Sequence, residues 1–270
     1  MKRSYDMESD VTFYHVIIKV PDNTLGNSAY AFNREHKTHL RKLVFWLESI
    51  YELELINYCI MSTHAHFIIR RDRESKLSLI QAAYRYKKYK SLEEVPDART
   101  CEVRKFAKRL NDLGDFMGNL QKRFTVWYNQ QFEKCRRGQL FNHCYKAIQI
   151  KNTKALIRCL QYIELNPLRA QMVTNVTDYE FSSWADICHS TKRKEKLKLG
   201  IVKALRDFGL SYLSDTKIFR VYMRDLMELG SQGDREIKTG LEVLLLMRSS
   251  LWSRGRSISI VDESFIVKTE

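Results

Sequence analysis

Glycine and proline are scarce, at 10 and 3 among 270 residues. That excludes a collagen-like chain or a Pro/Gly-rich disordered one. With 44% hydrophobic and 11% aromatic residues, the chain is expected to be folded, globular and rich in helix. Cysteines Cys59, Cys101, Cys135, Cys144, Cys159 and Cys188 include no C-x-x-C pair. Neither a zinc ribbon nor a disulfide framework is read from them, so they are expected as reduced thiols in a reducing compartment. No apolar run approaches membrane-spanning length, and the opening M-K-R-S-Y-D-M-E-S-D lacks the apolar core of a secretory signal. Internal repeats and low-complexity tracts are missing as well. These absences lead to the expectation of a soluble, cytoplasmic protein with no membrane partner.

Acidic residues are also short, 32 against 46 Lys and Arg, which leaves a net charge of +14. An excess of that size points to a polyanionic partner, with nucleic acid first among the candidates. The length admits one large domain or two small ones.

Val11–Val20 is β-branched and aromatic and is expected to form a central strand, ended by Pro21-Asp22-Asn23. His15 within it reads as a structural strand residue rather than a ligand. Asn33 is expected to cap a helix carrying Leu40, Leu43, Val44, Leu47, Ile50 and Tyr51, with His36 and His39 on a solvated face. Leu55–Arg70, L-I-N-Y-C-I-M-S-T-H-A-H-F-I-I-R, reads as two strands joined at Ser62-Thr63. Strand alternation puts His64 and His66 on one face, and neutral imidazole is a common metal ligand. Strand, helix, strand, strand is the first half of a ferredoxin-like α+β unit.

Helical patterns follow over Lys76–Tyr89 and Glu102–Glu133. The first carries Tyr84, Tyr86 and Tyr89; the second carries Lys122 and Arg123, candidates to face phosphates. After the basic turn Arg136-Arg137-Gly138, Gln139–Ile150 resembles a strand that completes the sheet. A helix over Lys154–Leu165, capped by Asn152 or Thr153, is expected to end at Pro167 and to carry Tyr162 and Asn166 on one face. Asp178–Asp186 reads as an aromatic tail packing back on the domain, and Thr191–Lys198 as a linker. Ile201–Leu229 and Leu241–Leu251 have helical periodicity, and Ile258–Val267 is β-like.

Two imidazoles and an amide oxygen, from His64, His66 and Asn166, suit Mg²⁺ or Mn²⁺ with positions left open for phosphate and water. Tyr162 nearby is a potential nucleophile toward phosphorus, forming a covalent phosphotyrosine.

M-S-T-H-A-H-F-I-I resembles the His-hydrophobic-His motif of the HUH single-tyrosine transposases. Y-I-E-L-N-P-L-R-A followed by D-Y-E-F-S-S-W is similar to the catalytic-helix signature of their REP-associated tyrosine transposase branch. With F-Y-H-V and G-Q-L-F, the resemblance spans about residues 11 to 188. It implies a ferredoxin-like antiparallel sheet flanked by helices, metal ligands at His64, His66 and Asn166, and a nucleophile at Tyr162. It also implies Mg²⁺ or Mn²⁺ as cofactor, and single-stranded or hairpin DNA as substrate, cleaved to a 5′-phosphotyrosine by a monomer or homodimer. Ser62-Thr63 and Ala65 depart from the family pattern without removing a ligand, and Asn142-His143-Cys144 stands where relatives often carry an arginine, whose DNA contact would fall to Lys146 or His143. Expected DNA contacts are Lys122, Arg123, Arg137, Lys146 and Arg169. The expected division is a catalytic unit over 1–190 and a mainly helical extension over 191–270. A catalytically inactive DNA-binding protein on the same fold and a metal-dependent hydrolase of small phosphoesters are the competing readings.

Overall fold

The β-branched run opens the fold as strand β1 (Val11–Lys19) in the computed structural model, which describes residues 10–21, 31–132, 137–141, 144–189 and 192–232. Helix α1 (Arg34–Glu48), β2 (Glu54–Ile60) and β3 (His64–Asp72) follow. Helices α2 (Leu79–Lys90), α3 (Cys101–Ala107) and α4 (Leu113–Gln130) then separate β3 from β4 (Lys146–Ile150). The rest comprises α5 (Thr153–Arg169), a 3-10 turn at Val176–Asp178, α6 (Ser183–Cys188), α7 (Lys194–Leu205), a π-turn at Arg206–Leu210 and α8 (Asp215–Gln232). No helix among the described residues is long and apolar enough to cross a membrane.

The strands form one antiparallel sheet in the order β2-β3-β1-β4. Ile17 lies opposite both His66 and Lys146, Lys19 opposite His64, and His15 opposite Ile148. Paired residues of antiparallel strands share a face. His15, Ile17, His64, His66, Lys146 and Ile148 therefore share one, and Tyr14, Val16, Ile18 and Phe67 share the other. Helix α1 covers the second face, where Phe45 meets Tyr58 with ring centroids 5.6 Å apart, and α4 packs on α1. On the first face lie α5 and the π-turn, whose Phe208 meets Phe13 at 5.0 Å.

Several expectations change. His36 and His39 are half-buried rather than fully solvated. The Asn33 side chain accepts from the His36 N–H at 2.8 Å while the Asn33 N–H donates to His36 Nδ1, so His36 completes a capping box. His39 stacks on Trp127 at 3.7 Å, and burial lowers the pKa of both imidazoles. The single helix expected over Glu102–Glu133 is two, because Asp112 caps a fresh start by accepting from the Asp115 N–H at 3.0 Å. Pro167 does not end α5, which runs two residues further. A proline removes one hydrogen bond to the carbonyl four residues back, a modest loss so close to a helix end. Among the described residues of Gln139–Ile150, the last five pair as strand.

The charged run expected as a linker instead starts α7. Leu197, Ile201 and Leu205 are fully buried, and Lys196 and Lys203 pair with Glu48 and Glu54 at 2.7 and 3.1 Å. The periodicity expected through Ile201–Leu229 is broken by the π-turn, with Gly209 at φ 119°. Leu241–Leu251 and Ile258–Val267 lie outside the described residues.

The aromatic tail docks as expected. Phe181 O accepts from the Ile60 N–H at 2.9 Å, and Trp184 is buried. Glu164 of α5 holds this docking together. Its buried carboxyl accepts from Asn57 Nδ2 of β2 at 2.7 Å and from the Trp184 N–H at 3.1 Å, and it lies 2.5 Å from Ser183 Oγ. Burial raises its pKa to about 8 against the three hydrogen bonds, so the acid is mostly neutral at pH 7. A raised folded pKa makes this contribution complete below the unfolded value near 4.5 and lost as pH rises toward 8. Between pH 6.5 and 8 the wild-type protein is expected to lose about 2 kcal/mol of stability from this source, or about 5 °C in melting temperature. Calorimetry of Glu164→Gln beside wild type checks this: a variant as pH-sensitive as wild type in that window refutes the neutral acid.

Candidate active site

The sheet face under α5 collects the histidines. His15 Nε2 lies 3.0 Å from His66 Nδ1, with the rings stacked at 5.2 Å. The His64 ring stands edge-on to His66 at 4.9 Å, and its Nδ1 is 3.1 Å from Thr63 Oγ1. His66 is buried, and its Nε2 has no hydrogen-bond partner among the described residues. Burial and then the neighbouring His64 and His15 push its pKa down to about 3. Burial and then Lys146 push His15 down to about 4. Both imidazoles are therefore neutral near pH 7, the form that offers a nitrogen lone pair.

Helix α5 lays Tyr162 over this cluster. Positions 162, 166 and 169 fall on one stripe, while Leu160, Ile163 and Glu164 face inward and are buried. The Tyr162 ring is 41% exposed, 5.6 Å from His66 and 6.1 Å from His15, with both contacts edge-on. Arg169 holds its guanidinium 5.8 Å from the Tyr162 ring centre. Asn166 donates its amide N–H to the Tyr162 carbonyl at 3.3 Å, which leaves Oδ1 as its atom suited to a cation.

Tyr162, His64, His66 and Lys146 are thus gathered about His15, Arg169 lies against the Tyr162 ring, and Asn166 follows one helical turn after Tyr162. Lys122 and Arg123 are not among them, since α4 packs on α1 beyond the opposite face of the sheet. Arg137 is exposed on the loop before β4. His15 belongs to the cluster although the sequence reading set it aside. Its one signal was a histidine inside an otherwise apolar strand, and the β1–β3 register that aims it at His66 is not visible in sequence.

Two imidazoles with an amide oxygen are a reasonable set for a divalent ion that keeps open positions, and the buried, unpartnered His66 Nε2 fits such a ligand. Among the described residues, no group of three or more His, Cys, Asp or Glu is placed to hold a metal.

No family model and no curated protein matches the chain. Among solved structures it is similar to a REP-associated tyrosine transposase bound to a REP hairpin, at 15% identity and a TM-score of 0.39, over 70% of this chain and 85% of that one.

Depressed histidine pKa values reverse the direction of the Glu164 effect. The unfolded imidazoles take up protons below about 6.5 while the folded ones stay neutral, so stability is complete above that value and falls as pH drops toward 4 and then 3. Carbon-13 NMR of the imidazoles in metal-free protein at pH 5 is expected to show His15 and His66 neutral. A protonated His66 at that pH would contradict the buried cluster.

Proposed function

We propose that the protein cleaves and rejoins single-stranded DNA, with Tyr162 as nucleophile and hairpin-forming repeats as substrates. The observation that carries this reading is the phenol of Tyr162 set 5.6 Å above neutral His66, in a region that also holds Lys146 and Arg169. The strand order is read as ferredoxin-like, with α2, α3 and α4 inserted before the last strand.

In this reading Lys146 and Arg169 receive the phosphate, and the half-exposed Tyr162 has room for an incoming strand. The phenolic oxygen bonds to phosphorus as its proton leaves to solvent. The bond to the 3′ oxygen breaks, and that oxygen leaves as a hydroxyl by taking up a proton. The DNA stays attached through a 5′-phosphotyrosine, so a 3′-hydroxyl can later displace Tyr162 and restore a phosphodiester. His64, His66 and Asn166 are the residues that would hold Mg²⁺ or Mn²⁺, which when bound supplies Lewis-acid polarisation of the phosphate. His15 sets the His66 ring: if Nδ1–H donates to His15 Nε2, the His66 lone pair lies on Nε2.

A catalytically silent DNA-binding protein on the same fold is the second reading, favoured by the lack, among the described residues, of any group of three or more His, Cys, Asp or Glu placed to hold a metal. Labelled hairpin oligonucleotides, with and without Mg²⁺ or Mn²⁺, separate the two on a denaturing gel. Wild type is expected to give a metal-dependent covalent band. Tyr162→Phe abolishes it, and His64→Ala or His66→Ala lowers it by about 100-fold or more. Metal-indifferent binding with no covalent species from any hairpin would favour the second reading.

A further inference from the structure

Two of the expected DNA contacts, Lys122 and Arg123, lie away from Tyr162, in a groove between α1 and α4 that Tyr89 of α2 closes at one side. This cavity of about 560 Å³ holds two planar stacks side by side. In one, Trp46 and Tyr89 lie nearly parallel at 6.2 Å and 18°, and the Arg123 guanidinium is 4.8 and 4.9 Å from their ring centres. In the other, His39 lies on Trp127 at 3.7 Å and 3°. All three aromatic rings are half-buried rather than enclosed, and Lys122 is exposed beside them. A second cleft of about 620 Å³ shares Lys122 and Val126 as a wall and runs past Gly138 to Cys144. Two residues beyond Cys144 is Lys146, on the face that holds the histidines. Among the described residues, neither cleft is lined by Asp or Glu.

We propose that the α1–α4 groove stacks unpaired bases of a single-stranded nucleic acid, and that the strand runs on through the second cleft to Lys146 and Tyr162. This deepens the reading of the Tyr162 cluster and rests on it only for where the strand leads. Half-buried aromatic rings that already carry a guanidinium and an imidazole present the flat surfaces on which bases stack. Lys122 and Arg123, on walls that carry no Asp or Glu among the described residues and in a chain of charge +14, select a polyanion over a cation. The chemistry common to both demands is a phosphate backbone carrying bases free to unstack. A duplex supplies the phosphates but hides the faces of its bases.

Binding is measured in a Tyr162→Phe background, so that no covalent product forms. Anisotropy titrations use a labelled oligo-dT of about 12 nucleotides and a blunt duplex of the same length, at several salt concentrations. Lys122→Glu is expected to weaken oligo-dT binding about tenfold and to flatten its salt dependence. Trp127→Leu is expected to weaken oligo-dT binding with the salt dependence unchanged, while duplex binding is barely affected. Melting curves establish that each variant is folded, and exposed Lys122 keeps the test decisive should Trp127→Leu unfold. Either of two results overturns the groove: both folded variants bind oligo-dT as wild type does, or they lose duplex and oligo-dT equally. The covalent-band assay with Tyr162 intact is independent of these readings. A band formed by variants with unaltered oligo-dT affinity leaves cleavage standing and removes the groove, whereas groove-dependent binding with no band removes cleavage alone.

Discussion

A single carboxyl with no access to water sets the geometry of the candidate site. Glu164 holds α5 to Asn57 of β2 on one side and to Ser183 and Trp184 of α6 on the other. Because it faces inward, it fixes the rotation of the helix about its own axis, and the stripe of Tyr162, Asn166 and Arg169 is turned outward as a result. A helix docked only by Leu156, Leu160 and Ile163 could slide or roll on an apolar surface at little cost, since hydrophobic contact is not directional. Hydrogen bonds to three separate partners are directional, and they remove that freedom.

The histidine cluster sits at the other end of the same arrangement and is costly in a different way. A buried imidazole whose Nε2 has no partner among the described residues gives up hydration that only a partner can restore. Burial, and then charge repulsion with His64 and His15 whenever those rings are protonated, keeps the proton off His66. The fold thus sets the buried His66 ring 5.6 Å from the ring of Tyr162, whose other side is open to solvent.

Much of this was legible in the sequence because it is periodic or local. Strand alternation alone set His64 and His66 on one face, helical spacing set Tyr162 and Asn166 on one stripe, and Asn33 and Asn152 marked helix starts. Long-range relations were not legible. Whether His15 met His66 depended on the β1–β3 register, and whether Lys122 and Arg123 stood near Tyr162 depended on which face of the sheet α4 covers. The charged run before Leu197 looked like a linker because its lysines dominate the composition. A leucine or isoleucine on the inward side of each turn of α7 decided otherwise, against β2. Pro167 shows the opposite failure: so close to a helix end a proline costs only one hydrogen bond, and α5 runs on to Arg169.

The docked aromatic tail has one more effect. Its Cys59–Ser182 bridge and the Ile60–Phe181 hydrogen bond lie along the outer side of β2, where a sheet would otherwise present unpaired backbone groups. At the other margin, β4 is five residues long and carries exposed Lys146 and Ile148 outside the core. Intermolecular strand addition, the first step toward amyloid-like aggregation, is therefore obstructed on one side by the tail. On the other it is left with a short border bearing a positive charge, so the segment that braces α5 also guards the sheet against self-association.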